Sequence, residues 1–260
     1  MRNRSLGNFL GLMILLSCPI TVAAQTKPPD KPAKAPQSTQ KPDLSGVWMR
    51  DAPPATATQY WIFELNKEEP PMTAWGQAQF KAAKSSFGTP SYPLEETNDP
   101  VLRGCSPPGV PRVYMHPFPF QFIQTRGEVV MMFEYDSLRR EIYTDGQPRG
   151  ADLVPLWMGS SSGRWEGDTL VVDTVNFNDK TWLDRIGHPH SDALQVIERF
   201  RRTDHDHLVD DITIEDPKAY TKPWTAQLKF ILRPWKLTEQ FCEDGESFMG
   251  LEKKEATAGK

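Results

Sequence analysis

The chain has 260 residues, with 34 acidic against 30 basic side chains and a formal net charge of −4 at pH 7. No stretch concentrates Lys and Arg into a patch or a basic helix, which excludes the electrostatic footprint of a nucleic-acid binder.

The first 24 residues read as a secretory signal peptide. Arg2 and Arg4 give a positive start, Phe9 to Leu16 an apolar run, and Val22-Ala23-Ala24 a small-residue cleavage site before Gln25. The apolar run is well short of the roughly 20 residues of a membrane span. A periplasmic or exported protein follows from this. A rival reading uses Leu15-Leu-Ser-Cys18 as a lipid-attachment site; Pro19 disfavours it, and membrane association stays open. Cleavage removes Arg2 and Arg4, so the mature chain is more acidic still. Its remaining cysteines, Cys105 and Cys242, form an even pair in an oxidising compartment, which predicts a disulfide over two buried free thiols.

Residues 25–42 are Lys, Pro, Gln and Ser with almost nothing apolar, the composition of a disordered linker. Residues 246–260 read as a flexible tail. The 43–245 segment between them is long enough for one domain with a sizeable core. Its strand signals run in order over 46–48, 60–65, 118–125, 129–135, 140–144, 169–175, 194–202, 208–214, 225–232 and 236–242. Arg126-Gly-Glu128, Glu166-Gly-Asp168 and Thr203 to His207 are hairpin-sized connections. One helix is predicted from Thr73, its N-cap, to about Lys84. The Pro-rich loops 87–117 and 146–159 are too long for turns and have the length of lids or binding loops. The pattern predicts an all-β protein, an antiparallel lipocalin-like β-barrel or curved sandwich with one short helix. Asp43-Leu-Ser-Gly-Val-Trp48 resembles the opening strand of lipocalin-like barrels, whose Trp plugs one end, and so favours the barrel.

Alternation along the strands places carboxylates among apolar side chains. Leu194, Val196, Glu198 and Phe200 share one face while Arg199 and Arg201 point the other way. Trp235, Leu237, Glu239 and Phe241 repeat the pattern, and Asp210 sits between Leu208 and Ile212. A carboxylate placed this way must be paired, hydrogen-bonded or protonated. A raised pKa suits a general acid or base, and a structural network satisfied by an inward Arg or Tyr is the alternative.

Asp184-Arg-Ile-Gly-His-Pro-His-Ser-Asp192 gathers ionisable groups in a loop ahead of the Glu198 strand. His188, His190 and Asp192 alternate as metal ligands would, but no fourth ligand motif accompanies them, so no metal is assigned. The preferred role is a catalytic His190 held by Asp192. His205 and His207 belong to a solvated hairpin turn. Gly159-Ser-Ser-Ser-Gly163 matches the nucleophile-elbow pattern, yet a hairpin rather than a helix follows, so Ser161 reads as a loop serine. Trp157, Trp165, Trp182 and Trp224 lie beside turns or the His/Asp loop, where rings either pack or sandwich a planar ligand.

Together the Asp43 to Trp48 start, the Gly163 to Thr174 hairpin, the Thr181 to Asp192 loop, Glu198-Arg-Phe-Arg-Arg202 and Asp216 to Trp224 resemble a family of exported bacterial proteins. The chain is also similar in type to cofactor-free lyases that remove formaldehyde from lignin-derived phenylcoumaran dimers. That resemblance implies an aromatic slot and an acid/base pair, with no cofactor. The expectation is therefore a cofactor-independent lyase or isomerase acting on a small aromatic molecule in a barrel cavity reached through the 146–159 and 176–193 loops. His190, oriented by Asp192, is the expected base, and Glu198 or Glu239 the acid. Trp182, Asp184, Arg185, Trp224, Tyr135 and His116 are the expected substrate-binding residues. The rival expectation is a periplasmic lipocalin-like protein that binds an apolar small molecule without chemistry. The sequence carries no sign of oligomeric state.

Overall fold

The Glu166-Gly167-Asp168 turn joins two strands in the register its residues predict, from Glu166 against Thr169 to Ser160 against Val175. Gly167 takes the positive φ of 64° that so tight a connection needs. The same local logic repeats around a closed barrel of nine strands. They are β1 (Gly46–Arg50), β2 (Phe120–Gln124), β3 (Glu128–Phe133), β4 (Arg139–Tyr143), β5 (Ser160–Glu166), β6 (Thr169–Val175), β7 (Gln195–Arg202), β8 (His207–Glu215) and β9 (Trp224–Arg233). The computed structural model describes residues 42–51, 63–147 and 154–242. The expected signal peptide, Cys18, the expected linker before Pro42, residues 60–62 of a predicted strand, residues 148–153 of the predicted 146–159 loop and the expected tail lie outside the described residues.

Strands pair in chain order, and β1 closes the barrel on β9. Every junction is antiparallel except β4–β5, which is parallel and rests on Ile142↔Ser161 and Tyr143↔Ser162 alone. The sheet is therefore mixed, a departure from the antiparallel expectation. Two segments differ further from the sequence reading. Ser160–Gly163 belongs to β5 rather than to a loop, and Ser161 is buried. Residues 236–242 form no strand, because Pro234 follows β9 and barrel closure leaves no free edge to pair with. Residues 63–65 are likewise a turn rather than a strand end.

Inward-facing residues fill the lumen. Phe120 and Phe122 of β2, Met131 and Phe133 of β3, Phe200 of β7 and Phe230 of β9 are buried together. Tyr114, from the 3₁₀ turn Arg112–Met115, inserts among them, with ring centroids 5.6 to 6.2 Å from Phe120, Phe133, Phe200 and Phe230. Tilted and edge-on pairs of this kind contribute about 0.5–1.5 kcal/mol each beyond burial. The expected aromatic cavity inside the barrel is thus occupied by the protein's own side chains. Trp48 of the opening strand is fully buried: its indole N–H donates to the Leu44 carbonyl at 2.9 Å, and Arg202 lies over its ring.

The 87–117 segment, expected as a lid or binding loop, contributes residues to the core. It forms α2 (Pro100–Gly104), capped by the Asp99 carboxylate on the Val101 N–H, and then the 3₁₀ turn; Val101, Leu102, Val113 and Met115 are buried. The predicted helix is α1 (Ala74–Ala82), with the Thr73 hydroxyl accepting from Gly76 N–H at 3.1 Å. Among the described residues no helix is long and apolar enough to cross a membrane.

Cys105 and Cys242 form the expected disulfide, with Cα atoms 5.5 Å apart and a sequence separation of 137. A bond of this kind points to an oxidising, exported environment. It ties α2 to the chain after β9, which no strand pairing holds. Reduction is expected to cost about 2–4 kcal/mol of stability. Urea unfolding with and without dithiothreitol measures it, and the Cys242→Ser variant should not respond to the reductant.

Candidate active site

The 181–192 loop is fastened by side chains that the sequence supplies within a few residues of one another. Asp184, fully buried, accepts the N–H groups of Ile186, Gly187 and His188 at 3.1 Å each, and its second oxygen meets His188 Nδ1 at 2.5 Å. The imidazole of His188 stacks on Phe80 of α1, with centroids 4.5 Å apart and planes 6° from parallel. Gly187, at φ 108°, permits this approach, because a Cβ there would stand 2.5 Å from the Ala83 Cβ. Ser191 is bound through its N–H and hydroxyl to Asp216, and the Tyr220 hydroxyl donates to the Pro189 carbonyl at 2.7 Å.

The Asp184–His188 pair is ionic. Burial opposes the imidazolium, but the Asp184 charge and hydrogen bond outweigh it and hold His188 at about 10. Burial likewise opposes the Asp184 carboxylate, and His188 keeps its pKa below the ordinary value. A histidine raised above its unfolded value stabilises fully below pH 6.5 and loses that contribution as pH rises towards 10. The Asp184 contribution is present above its unfolded pKa of 3.8 and is lost as pH falls below it. Urea midpoints should therefore decline from pH 6.5 to 10, and His188→Gln should flatten that slope.

His190 lies on the other side of the same loop. Its Nδ1 is 3.1 Å from the Ser191 carbonyl, which can only accept, so Nδ1 carries the proton. Nε2 is then an acceptor, and the Thr181 hydroxyl donates to it at 2.7 Å. Burial lowers the pKa of His190, offset in part by the Ser191 carbonyl and the charges of Asp216 and Asp179, so the ring is neutral at pH 7. A groove of 200 Å³ opens beside it, lined by Trp75 and Gln79 of α1, Asp179, Thr181, Trp182 and His190. A neutral imidazole of fixed tautomer, hydrogen-bonded to a hydroxyl beside a groove with two indoles, has the chemistry of a general base.

The carboxylate inside the barrel serves differently. Glu198 is fully buried, as alternation predicts, and pairs bidentately with Arg140 of β4: Oε1 accepts from Nη1 at 3.0 Å and Oε2 accepts from Nη2. The Tyr114 hydroxyl donates to Oε1 at 2.8 Å. Arg140 also donates to Ser161 at 3.0 Å and Thr174 at 2.7 Å. Asp210 is buried nearby; desolvation and the Glu198 charge raise its pKa well above the usual carboxylate range. With both oxygens engaged by Arg140 and Tyr114, Glu198 holds the core together and is not the acid partner of His190.

The remaining expected site residues are dispersed. Asp192 is exposed and does not orient His190; the Ser191 carbonyl and Thr181 do. Glu239 is exposed in the segment after β9. Trp224 is buried edge-on against Tyr220. His116 stacks on Tyr135 at 4.9 Å in a buried cluster rather than at a mouth. Asp184 shapes the loop from within, and Arg185 is buried over Phe87. Of the expected set, His190 and Trp182 share this groove. Thr181, Asp179 and Trp75 also line it and were not among the expected site residues; the reach from Thr181 to His190 follows from a loop folding back, which leaves no periodic trace.

A second groove, of 420 Å³, lies at the β4–β5 junction. Tyr143, Leu156, Trp157 and Met158 line it together with Arg140 and Ser161. The chain matches no family profile, no curated protein and no solved structure.

Proposed function

We propose that the protein is a cofactor-independent acid/base enzyme of lyase or isomerase type, acting on an aromatic ring held in the Trp75–Trp182 groove. The observation that carries this reading is the 2.7 Å contact between Thr181 Oγ1 and His190 Nε2 beside that groove. Its 200 Å³ is below the roughly 300–1,000 Å³ of sites for drug-sized ligands, which suits one substituted ring with the rest of a larger substrate outside.

For a phenylcoumaran bearing a hydroxymethyl group, His190 takes the hydroxyl proton, directly or through Thr181. The carbon–carbon bond to that group breaks, releasing formaldehyde. The freed electron pair forms the new carbon–carbon double bond and expels the aryl ether oxygen, which takes up the proton that His190 returns. The sequence is redox-neutral. A panel of phenolic monomers and phenylcoumaran dimers, assayed for formaldehyde and by mass spectrometry, tests the reading; no product from any of them would retire it.

The 420 Å³ groove favours a second reading, a binding protein for an apolar aromatic molecule seated against Trp157 and Tyr143. Under it the same panel quenches tryptophan fluorescence without conversion, and Trp157→Ala weakens binding about tenfold, near the 1.4 kcal/mol that one lost aromatic contact amounts to.

A further inference from the structure

A further groove, which neither functional reading uses, lies where β9 ends. Its volume is 550 Å³, within the ~300–1,000 Å³ usual for small-molecule sites. Val47, Gln121, Arg233, Trp235 and the His205–Asp206 turn line it. Val47 of β1 is registered against Gln121 of β2 on one side and Arg233 of β9 on the other, so the three share one face of the sheet. The next residue, Trp48, is fully buried in the core, which makes this the outer face of the barrel. Across β1, two strand spacings put Gln121 and Arg233 about 10 Å apart.

Trp235 leaves 50 % of its surface to solvent, with the Arg233 guanidinium 5.3 Å from its ring. Pro234 joins the two residues and fixes its own φ, so the indole is presented from a constrained backbone. Among the described residues no carboxylate is paired with Arg233. Asp206, exposed in its turn, spends one oxygen on His205 Nδ1 at 2.7 Å. These groups differ in what they offer a ligand. Arg233 only donates, the Asp206 carboxylate only accepts, and Gln121 does both. An anion would be opposed by Asp206 and a cation by Arg233, while a plain apolar ring would engage neither. A ligand that uses all of them carries several hydroxyls, each donor and acceptor, on a body with an apolar face for the indole. A pyranose ring has both features.

We infer that the Trp235 groove binds a saccharide, with one pyranose ring against the exposed indole and its hydroxyls on Arg233, Asp206 and Gln121. The site is separate from the His190 groove and independent of any turnover there. Maltotriose, cellotriose, chitotriose and trigalacturonate are titrated into the purified chain by calorimetry, with benzyl alcohol and inorganic phosphate as controls. At least one trisaccharide should bind with a Kd below about 1 mM. Trp235→Ala removes a half-exposed side chain, so it should keep its Tm and bind that sugar at least about tenfold more weakly. Trp235→Phe retains a ring and should fall between the two. Asp206→Ala, in an exposed turn, should also weaken binding, and His190→Gln should leave it unchanged. No binding by any trisaccharide, equal affinity in Trp235→Ala and Asp206→Ala, or benzyl alcohol or phosphate binding as tightly as the best sugar overturns the inference.

Discussion

Replacing Glu198 by Ala is expected to destabilise the protein by about 3–5 kcal/mol, because it leaves the Arg140 guanidinium buried without its counterion. Against the 5–15 kcal/mol typical of a whole domain, that is enough to unfold a large fraction of the chains at 37 °C. Two further variants separate charge from packing. Glu198→Gln keeps the shape and an acceptor for Tyr114 but loses the ion pair, so its loss should fall below that of Ala. The double change Arg140→Met with Glu198→Leu removes both charges from the interior and should recover most of the stability. Urea midpoints of the four chains measure all of this. A double variant as unstable as Glu198→Ala would mean that the polar network, with Ser161, Thr174 and Tyr114, matters more than the charges.

The second large effect is catalytic. On a substrate identified by the panel, His190→Gln should lower kcat/KM by about 10²–10⁴-fold, the usual contribution of a positioned general base. The protein should fold normally, since glutamine can still accept from Thr181. Thr181→Val, nearly equal in shape, should weaken turnover if the hydroxyl relays the proton and leave it unchanged if the substrate meets Nε2 directly. The base acts in its neutral form, and burial holds its pKa below 6.5. Activity should therefore be constant from neutral pH down to that range and fall with an acid limb beneath it. An acid limb above pH 7 would contradict the assignment to His190.

The barrel was legible wherever a rule of short range applied. Period-two alternation put Glu198 and Asp210 inside because both lie on strands that do pair on both sides. The same alternation failed at Glu239, where the residues alternate but no neighbouring strand exists to enforce a face. Arg140 was within reach of the rule: it shares a face with Ile142, opposite Arg139 and Glu141, and so had to meet an inward carboxylate. The loop was harder. Adjacency in sequence suggested Asp192 as the partner of His190, yet what an extended segment offers its neighbour is a backbone carbonyl, here that of Ser191. The Asp99–Arg112 pair and the insertion of Tyr114 come from a segment whose only strong local signals are prolines and a glycine, which mark breaks and not destinations.

Where β4 meets β5 the backbone is joined over two residue pairs, whereas β5 and β6 share seven. A sheet closed so sparingly should part there first under thermal or mechanical load. Arg140 belongs to β4, and its partners Ser161, Thr174 and Glu198 belong to β5, β6 and β7. One guanidinium thus bolts the weakest backbone seam to three successive strands beyond it. The circumference of this barrel is completed in part by a side chain.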